Sequence, residues 1–393
     1  MSNRLAVVVL AARRTAIARY RGALAGVPVV EFGRQLAWRT IALAGLTPAD
    51  IDQTLIGCVL QAGLGQNVAR QIAVRAGVPV ERPAFTVNAV CASGLKAVEL
   101  GAQQIRLGEA QAVLAGGVES MSNAPYLAAA PLSKGPPPPG ATLLDSAQRD
   151  ALLDSFEDIP MGCTAERIAT RYAIGRAEQD AFALESQRRY QAARARLAEE
   201  IVPIVVDGPA GARVFDVDEH PRETSASALA GLSPSFSPDG AVTAGNASGV
   251  NDGAALAVIA ARPWAEARGL AFEFVLHGFS TVGLDPGVMG LGPIGAIRAL
   301  WRRFDLTNAD IDLYEINEAF AGQVLAVLRE LDISMAKVNV NGGAVALGHP
   351  VGASGCRILV TLLHEMRRRR ARRGIASLCV GGGMGAAVLV EAA

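Results

Sequence analysis

The sequence predicts an α/β protein of two pseudo-duplicated halves with a covering segment inserted between them. Three observations carry this. Leu46-Thr47-Pro48-Ala49-Asp50-Ile51-Asp52 returns as Leu306-Thr307-Asn308-Ala309-Asp310-Ile311-Asp312, 260 positions on. Ala92-Ser93-Gly94-Leu95-Lys96 is echoed by Ala353-Ser354-Gly355-Cys356-Arg357 at an offset of 261, nearly the same register. After both echoes a helical stretch leads to an apolar strand ending in glycines, at 112–117 and 376–383. Two matches in register are hard to obtain by chance. They imply homologous halves, each a mixed, mostly parallel sheet with helices on its faces.

In chain order, residues 5–10 read as a buried strand, 28–44 as a helix and 54–60 as a strand. Phe85-Thr86-Val87 reads as a strand running into Asn88-Ala89-Val90-Cys91-Ala92-Ser93-Gly94. Leu95, Val98, Ala102 and Ile105 then fall at helical spacing, and Gly108 sits where a helix would stop. Cys91 therefore lies beside a helix N-terminus, where free N–H groups and the macrodipole favour a thiolate. Taken alone, Cys91 reads equally well as a small buried core residue. Gly94 and Ala97 are small enough to admit another backbone. Residues 121–248 differ in character, with a proline run at 135–140 that reads as a surface loop and a strong helix at 176–200. The chain returns to the first sheet at 254–260. The expected division is 1–120 for the first half, completed by about 249–270, then 121–248 as an insertion over the cleft and 271–393 as the second half.

Half of the residues, 51%, are apolar and 19% are charged, which excludes a disordered chain. The formal net charge is zero, so nothing suggests nucleic acid or a membrane surface as partner. The cysteines are Cys58, Cys91, Cys163, Cys356 and Cys379, an odd set without metal-knuckle spacing that suits free thiols. His220, His277, His349 and His364 are equally scattered, so no protein-ligated metal is expected. No run approaches a membrane span and no signal peptide is evident, which makes a cytoplasmic location the expectation.

If the halves pair pseudo-symmetrically, corresponding turns face each other. Cys91 lies just ahead of the first Ala-Ser-Gly and His349 just ahead of the second, so the duplication predicts a thiol and an imidazole across one cleft, at the carboxyl ends of strands. Four more stretches carry chemistry. Gly342-Gly343-Ala344-Val345-Ala346-Leu347-Gly348-His349-Pro350 allows a tight turn before a helix. Asn317-Glu318-Ala319-Phe320 follows a strand. Cys379-Val380-Gly381-Gly382-Gly383 suggests backbone N–H groups exposed near a substrate. Val242-Thr243-Ala244-Gly245-Asn246-Ala247-Ser248-Gly249 is a glycine- and serine-rich turn. The other three histidines read as structural, and the basic run at 367–373 as a solvated helix end.

Together these stretches resemble the thiolase family over nearly the whole chain. Gly116-Gly117-Val118-Glu119-Ser120-Met121-Ser122 and Met161-Gly162-Cys163-Thr164-Ala165-Glu166 add to the match. The resemblance implies a thiolase-like fold and a reversible, CoA-dependent Claisen condensation, or thiolytic cleavage of a 3-ketoacyl-CoA. Cys91 would be the acylated nucleophile and His349 its base. Asn317 would position a water in one oxyanion hole, and Cys379 would move the α-proton. The N–H groups of Cys91 and Gly381 would form a second oxyanion hole. For coenzyme A, substrate and product with no permanently bound cofactor, it points to Ser248, Met161, Arg222 and Ala244, with Phe320 walling the acyl pocket. It implies a homodimer or tetramer. The chain departs from the pattern at Gly231-Leu232-Ser233-Pro234, where many members carry Lys-Leu-Arg-Pro, and at Pro160, where short-chain biosynthetic members often have histidine. The competing readings are a ketoacyl synthase-like condensing enzyme and a non-catalytic acyl-CoA-binding protein. Cys379 argues against the first, and Cys91 with His349 against the second.

Overall fold

The computed structural model describes residues 5–128, 135, 140–208 and 211–393; Pro136–Pro139 of the proline run fall outside them. In the first half, β1 (Val7–Arg14) and the short β2 (Ala18–Arg19) precede α1 (Val29–Leu43), which starts directly after Pro28. β3 (Gln53–Gly57), α2 (Val68–Arg75), β4 (Ala84–Val87), α3 (Ser93–Leu107) and β5 (Ala112–Ser120) follow. α3 stops where Gly108 takes φ 82°, a left-handed conformation that suits a residue without Cβ. The insertion holds a hairpin of β6 (Tyr126–Ala128) and β7 (Leu143–Asp145), then α4 (Met161–Arg171) and α5 (Arg176–Leu197). A ribbon of β8 (Ile204–Val206) and β9 (Arg213–Phe215) and the short α6 (Ala226–Ala230) complete it. β10 (Asn251–Ala261) and α7 (Arg262–Ala267) return the chain to the first half. The second half runs β11 (Phe274–Gly283), α8 (Gly292–Phe304), β12 (Leu313–Ile316), α9 (Ala321–Leu331), α10 (Ala344–Leu347), α11 (Val351–Arg369), β13 (Arg373–Val380) and β14 (Met384–Ala392).

The sequence repeat is a repeat of hydrogen bonds. Thr47 and Asp50 close a capping box, as do Thr307 and Asp310. Asp52 then accepts the N–H groups of Gln111 and Ala112 at 2.8 and 3.2 Å, while Asp312 accepts those of Arg372 and Arg373 at 2.8 and 2.9 Å. Each aspartate ties the start of one strand to the start of its parallel neighbour. β3 pairs in parallel with β5, and β12 with β13.

Apart from the β6–β7 and β8–β9 ribbons, the strands form one sheet of order β12-β13-β14-β11-β1-β10-β5-β3-β4, with β2 beside β10. The expectation of mostly parallel halves is corrected here. Only β3–β4, β3–β5 and β12–β13 are parallel, and the pairings from β5 through β10, β1, β11 and β14 to β13 are antiparallel. The reason is connectivity. Three glycines join β13 to β14 as a hairpin, and a hairpin can only be antiparallel.

Strand residues alternate between two apolar clusters, which sets the layers. Leu256, Val258 and Ala260 of β10 pack with Phe32, Leu36 and Ile72 of α1 and α2. Ala255, Ala257 and Ile259 face Leu95, Val98 and Ile105 of α3 and Leu359 and Leu362 of α11. β14 repeats the alternation: Ala386, Val388 and Val390 join that same cluster, whereas Ala387 and Leu389 meet α8 and α9. The two halves of the one sheet therefore sandwich α3 and α11, in the order helices, first half-sheet, α3 and α11, second half-sheet, helices. The close approach of α3 and α11 depends on Gly94 and Gly355. A Cβ on Gly94 would lie 2.9 Å from the Gly352 carbonyl oxygen, and one on Gly355 2.6 Å from the Leu95 nitrogen.

The insertion is pinned to this frame by a buried charge cluster. Arg14 of β1 donates to Glu200 at 2.5 Å and to Asp218 at 2.6 Å, all three nearly without solvent contact. Removing one partner from such a set would cost about 3–5 kcal/mol, because a buried charge is left uncompensated.

Candidate active site

The turn before α3 is strained. Val90 has φ 48°, in the left-handed region that a β-branched residue avoids. Such a conformation costs about 1–3 kcal/mol and persists only where surrounding bonds impose it. Here Ser93 does so: its Oγ accepts the Ala89 N–H at 2.9 Å and donates to the Val90 carbonyl at 2.6 Å. The turn projects Cys91 into a cavity of about 260 Å3. At this site burial opposes the thiolate that a helix start favours. Burial pushes the Cys91 thiol up to about 11, and the negative charge of Glu119 adds to the rise. The backbone N–H groups of Gly381 and of Cys91 itself pull it back down and only partly offset burial. Proximity to a helix start is outweighed by exclusion of the water that would solvate the anion.

His349 is held on both sides. Gly348 takes φ 100°, and a Cβ there would fall 2.4 Å from the Asn251 amide group. That close approach lets Asn251 accept the His349 backbone N–H at 3.0 Å. The ring Nδ1 lies 2.5 Å from Ser354 Oγ, and Ser354 Oγ lies 2.9 Å from the Pro350 carbonyl. The carbonyl can only accept, so the serine hydroxyl donates to it and accepts Nδ1–H. This leaves a lone pair on Nε2. Burial, and then the Arg357 charge, lower the imidazole to about 4, so it is neutral at pH 7.

Cys379 is the penultimate residue of β13 and is 1% exposed. Burial, reinforced by Cys91 nearby, raises its thiol strongly. The following turn uses φ 82° at Gly382 and 80° at Gly383 and leaves Gly381 facing Cys91. Asn317 follows β12; its N–H bonds the Ser377 carbonyl at 2.9 Å and its Oδ1 accepts from Arg357 at 3.4 Å. Arg357 is paired in turn with Glu315 at 2.9 Å. Asn317 Nδ2 is buried without a partner among the described residues.

Cys91, His349, Cys379 and Gly381 all line the one cavity, together with Met161, Ser248 and Phe320. The phenyl rings of Phe236 and Phe320 meet edge to face at 6.3 Å in its wall. Asn317, Arg222 and Ala244 are not part of the lining. Arg222 and Ala244 lie together outside it, where the guanidinium donates to the Ala244 carbonyl at 2.9 Å. Near the turn that lacks the two basic residues, Arg176 donates to the carbonyls of Leu229 and Leu232. Sequence reasoning missed Ser354 as the partner of His349 and missed the strain at Val90. Ser354 stands in the quoted echo, but only its spacing of five from His349, just over one helical turn, hints at the contact.

A half-buried thiol beside backbone N–H groups, a neutral imidazole of fixed tautomer and a second, buried thiol in one apolar cavity define a cysteine-dependent acyl-transfer site. The comparisons give the family. Residues 7–263 match the thiolase N-terminal domain and residues 271–392 the thiolase C-terminal domain. An acetyl-CoA acetyltransferase of Pseudomonas aeruginosa is 50% identical over 389 residues, covering 97% of this chain and 98% of its own. One of Chromobacterium violaceum is 48% identical over 390 residues, covering 98% and 99%. The crystal structure of the Bacillus anthracis acetyl-CoA acetyltransferase superposes with a TM-score of 0.96 at 42% identity, covering 100% of both chains. That of human mitochondrial 3-ketoacyl-CoA thiolase gives 0.95 at 39% identity, covering 99% of both. The chain belongs to the thiolase family and is an acyltransferase with the thiolase fold.

Proposed function

We propose that this thiolase acts on short 3-ketoacyl-CoAs, cleaving acetoacetyl-CoA with free CoA and condensing two acetyl-CoA in reverse, with Cys91, His349 and Cys379 in separate roles. The observation that supports this most directly is that both thiols and the imidazole line one small apolar cavity. In the cleavage direction Cys91 attacks the 3-keto carbon while His349 Nε2 takes its proton. The bond between C2 and C3 breaks, leaving an acyl group on Cys91 and an enolate of acetyl-CoA. Cys379, kept protonated by burial, gives its proton to the enolate carbon. CoA thiol then attacks the Cys91 thioester and its proton restores Cys379. Cys91 leaves as thiolate and recovers the proton held on His349. Atoms and charge balance over the cycle.

The developing oxyanions need fixed donors. The N–H groups of Cys91 and Gly381, which favour negative charge at the Cys91 sulfur, suit the thioester oxygen. Asn317 Nδ2, buried without a partner among the described residues, suits a water beside His349. Ser248 and Met161 in the cavity suit the pantetheine arm, with Arg222 and Ala244 further out toward the nucleotide and Phe320 against the acyl group. A homodimer fits the sheet's open edge at β4, where Phe85 is 52% exposed. A tetramer would draw on the β6–β7 hairpin, with Tyr126 and Leu143 exposed. No helix among the described residues is long and apolar enough to cross a membrane. The test supplies acetoacetyl-CoA and a series of longer 3-ketoacyl-CoAs with free CoA. Fastest turnover of the four-carbon substrate is expected; a marked preference for long chains would overturn the short-chain reading.

A further inference from the structure

We propose that Glu119 and Glu318, two buried carboxylates contributed one from each half, are positioning residues that clamp the segment carrying His349 from both sides. Neither has a cationic hydrogen-bond partner among the described residues. Both are at most 1% exposed. Carboxylates so placed are costly unless their oxygens are well satisfied, so their bonds indicate what they are for.

Glu318 holds the segment ahead of His349. It accepts from Asn339 Nδ2 at 2.9 Å and from the Val345 N–H at 3.1 Å. It also accepts from Ser186 Oγ at 2.7 Å, and that same oxygen accepts the Gly343 N–H at 3.1 Å. Glu119 holds the segment after His349. It accepts the Gly352 N–H at 2.8 Å, in the first turn of α11, and the N–H groups of Val59 and Leu60 at 3.2 and 3.1 Å. Val59 and Leu60 pack with Val90, Cys91 and Val351 behind the nucleophile. Glu119 thus joins the wall behind Cys91 to the helix turn that sets Ser354 against the imidazole. Residues 339–352 are fixed at Asn339, Gly343, Val345 and Gly352 by these two carboxylates and one serine. The imidazole lies between the fixed points.

This inference rests on His349 being the base that receives the Cys91 proton. Its test uses the full-length Glu119→Gln, Glu318→Gln and Ser186→Ala proteins, beside the unaltered enzyme, with acetyl transfer from acetyl-CoA to Cys91 followed by mass spectrometry and with KM measured separately. An amide at either glutamate keeps the shape but turns a donor toward N–H groups. Loosening the base should lower the acylation rate on the order of 100-fold, as small misplacements of reacting groups do, with KM for acetyl-CoA little changed. Ser186→Ala leaves both carboxylates in place and should give a loss of severalfold. It also decides the matter if a glutamine variant does not fold. Full acylation rates in the folded variants, or losses confined to KM, would overturn the clamp. If the unaltered enzyme carried no acetyl group on Cys91, the assignment of the nucleophile would fail instead.

Discussion

The turns before α3 and α11 are built on one plan and do opposite chemistry. Each has a residue at positive φ, Val90 at 48° and Gly348 at 100°, next to its functional side chain. Each has a serine at the same repeat position, Ser93 and Ser354, whose Oγ donates back to a carbonyl, of Val90 at 2.6 Å and of Pro350 at 2.9 Å. They differ in what that oxygen accepts. Ser93 accepts a backbone N–H and holds a strained turn, whereas Ser354 accepts the ring N–H of His349 and fixes its tautomer. Duplication placed a serine at the same position of each turn, but the functional side chains stand at different positions of the repeat: at the offset of 261, Cys91 corresponds to Gly352 and His349 to Asn88.

The comparison breaks most visibly at the two thiols. Cys91→Ala should abolish acetyl transfer to the enzyme. Cys379→Ala should leave that transfer measurable while carbon–carbon cleavage falls by roughly the 10²–10⁴-fold that a positioned acid or base contributes. Mass spectrometry of the acyl-enzyme beside the steady-state rate checks both. An acyl group found on Cys379 of the intact enzyme, or near-normal condensation without Cys379, would remove the division of labour.

The two serines sharpen it next. Ser354→Ala frees the tautomer of His349 and should lower kcat by about tenfold or more, part of the contribution of a general base, with little change in melting temperature. Ser93→Ala removes the bracket from the strained turn and should cost stability, by about 1–2 kcal/mol for lost hydrogen bonds in a buried site. Equal stability losses and equal rate losses for the two variants would erase the distinction.

A third test uses pH. His349 is lowered to about 4 by burial and then by Arg357. Protonation fills Nε2, so the rate of Cys91 acylation should fall as pH drops through about 4 and not through the ordinary histidine value near 6.5. Cys91 itself is raised to about 11, so its alkylation by iodoacetamide in the free enzyme should still be climbing above pH 9. An acid limb at pH 6 to 7, or a thiol fully reactive at pH 7, would point to a preformed ion pair.

Much of this was legible before any coordinates. The repeat gave the two halves, and apolar periodicity gave α1, α3 and β5 to within a few residues, because each has a regular buried face and a clear stop signal. Sheet direction was misread because strand patterns look alike whichever way a neighbour runs; only the short connection at residues 381–383 carries that information. The opposing effect of burial on Cys91 was not legible, because a helix N-terminus is a local feature, whereas burial is set by the insertion and the second half. Arg222 and Ala244 come from motif likeness alone, and they lie together outside the cavity that the thiols line. Ser354 and Glu119 act through contacts across the fold, which spacing along the chain does not display.

The smallest expected effect concerns the seam between the two turns. Gly94 and Gly355 share the repeat offset of 261, so the pseudo-symmetric contact of α3 with α11 passes between them. In an isolated helix, replacing glycine by alanine would gain about 0.5–1 kcal/mol. Here a Cβ at position 94 meets the Gly352 carbonyl oxygen at 2.9 Å and the Cys356 nitrogen at 3.0 Å, and one at 355 meets the Leu95 nitrogen at 2.6 Å. These are backbone atoms, which cannot swing aside, so the helices must separate. Overpacking of this kind typically costs about 1–3 kcal/mol, enough to reverse the sign of the helix gain. Gly355→Ala, with the shorter contact, should destabilise more than Gly94→Ala, and denaturant unfolding resolves the difference. Both should also slow acylation slightly, since the seam sets how far the Cys91 turn stands from the His349 turn. If either alanine raised stability, backbone contact across the seam would not be what holds the two copies in register.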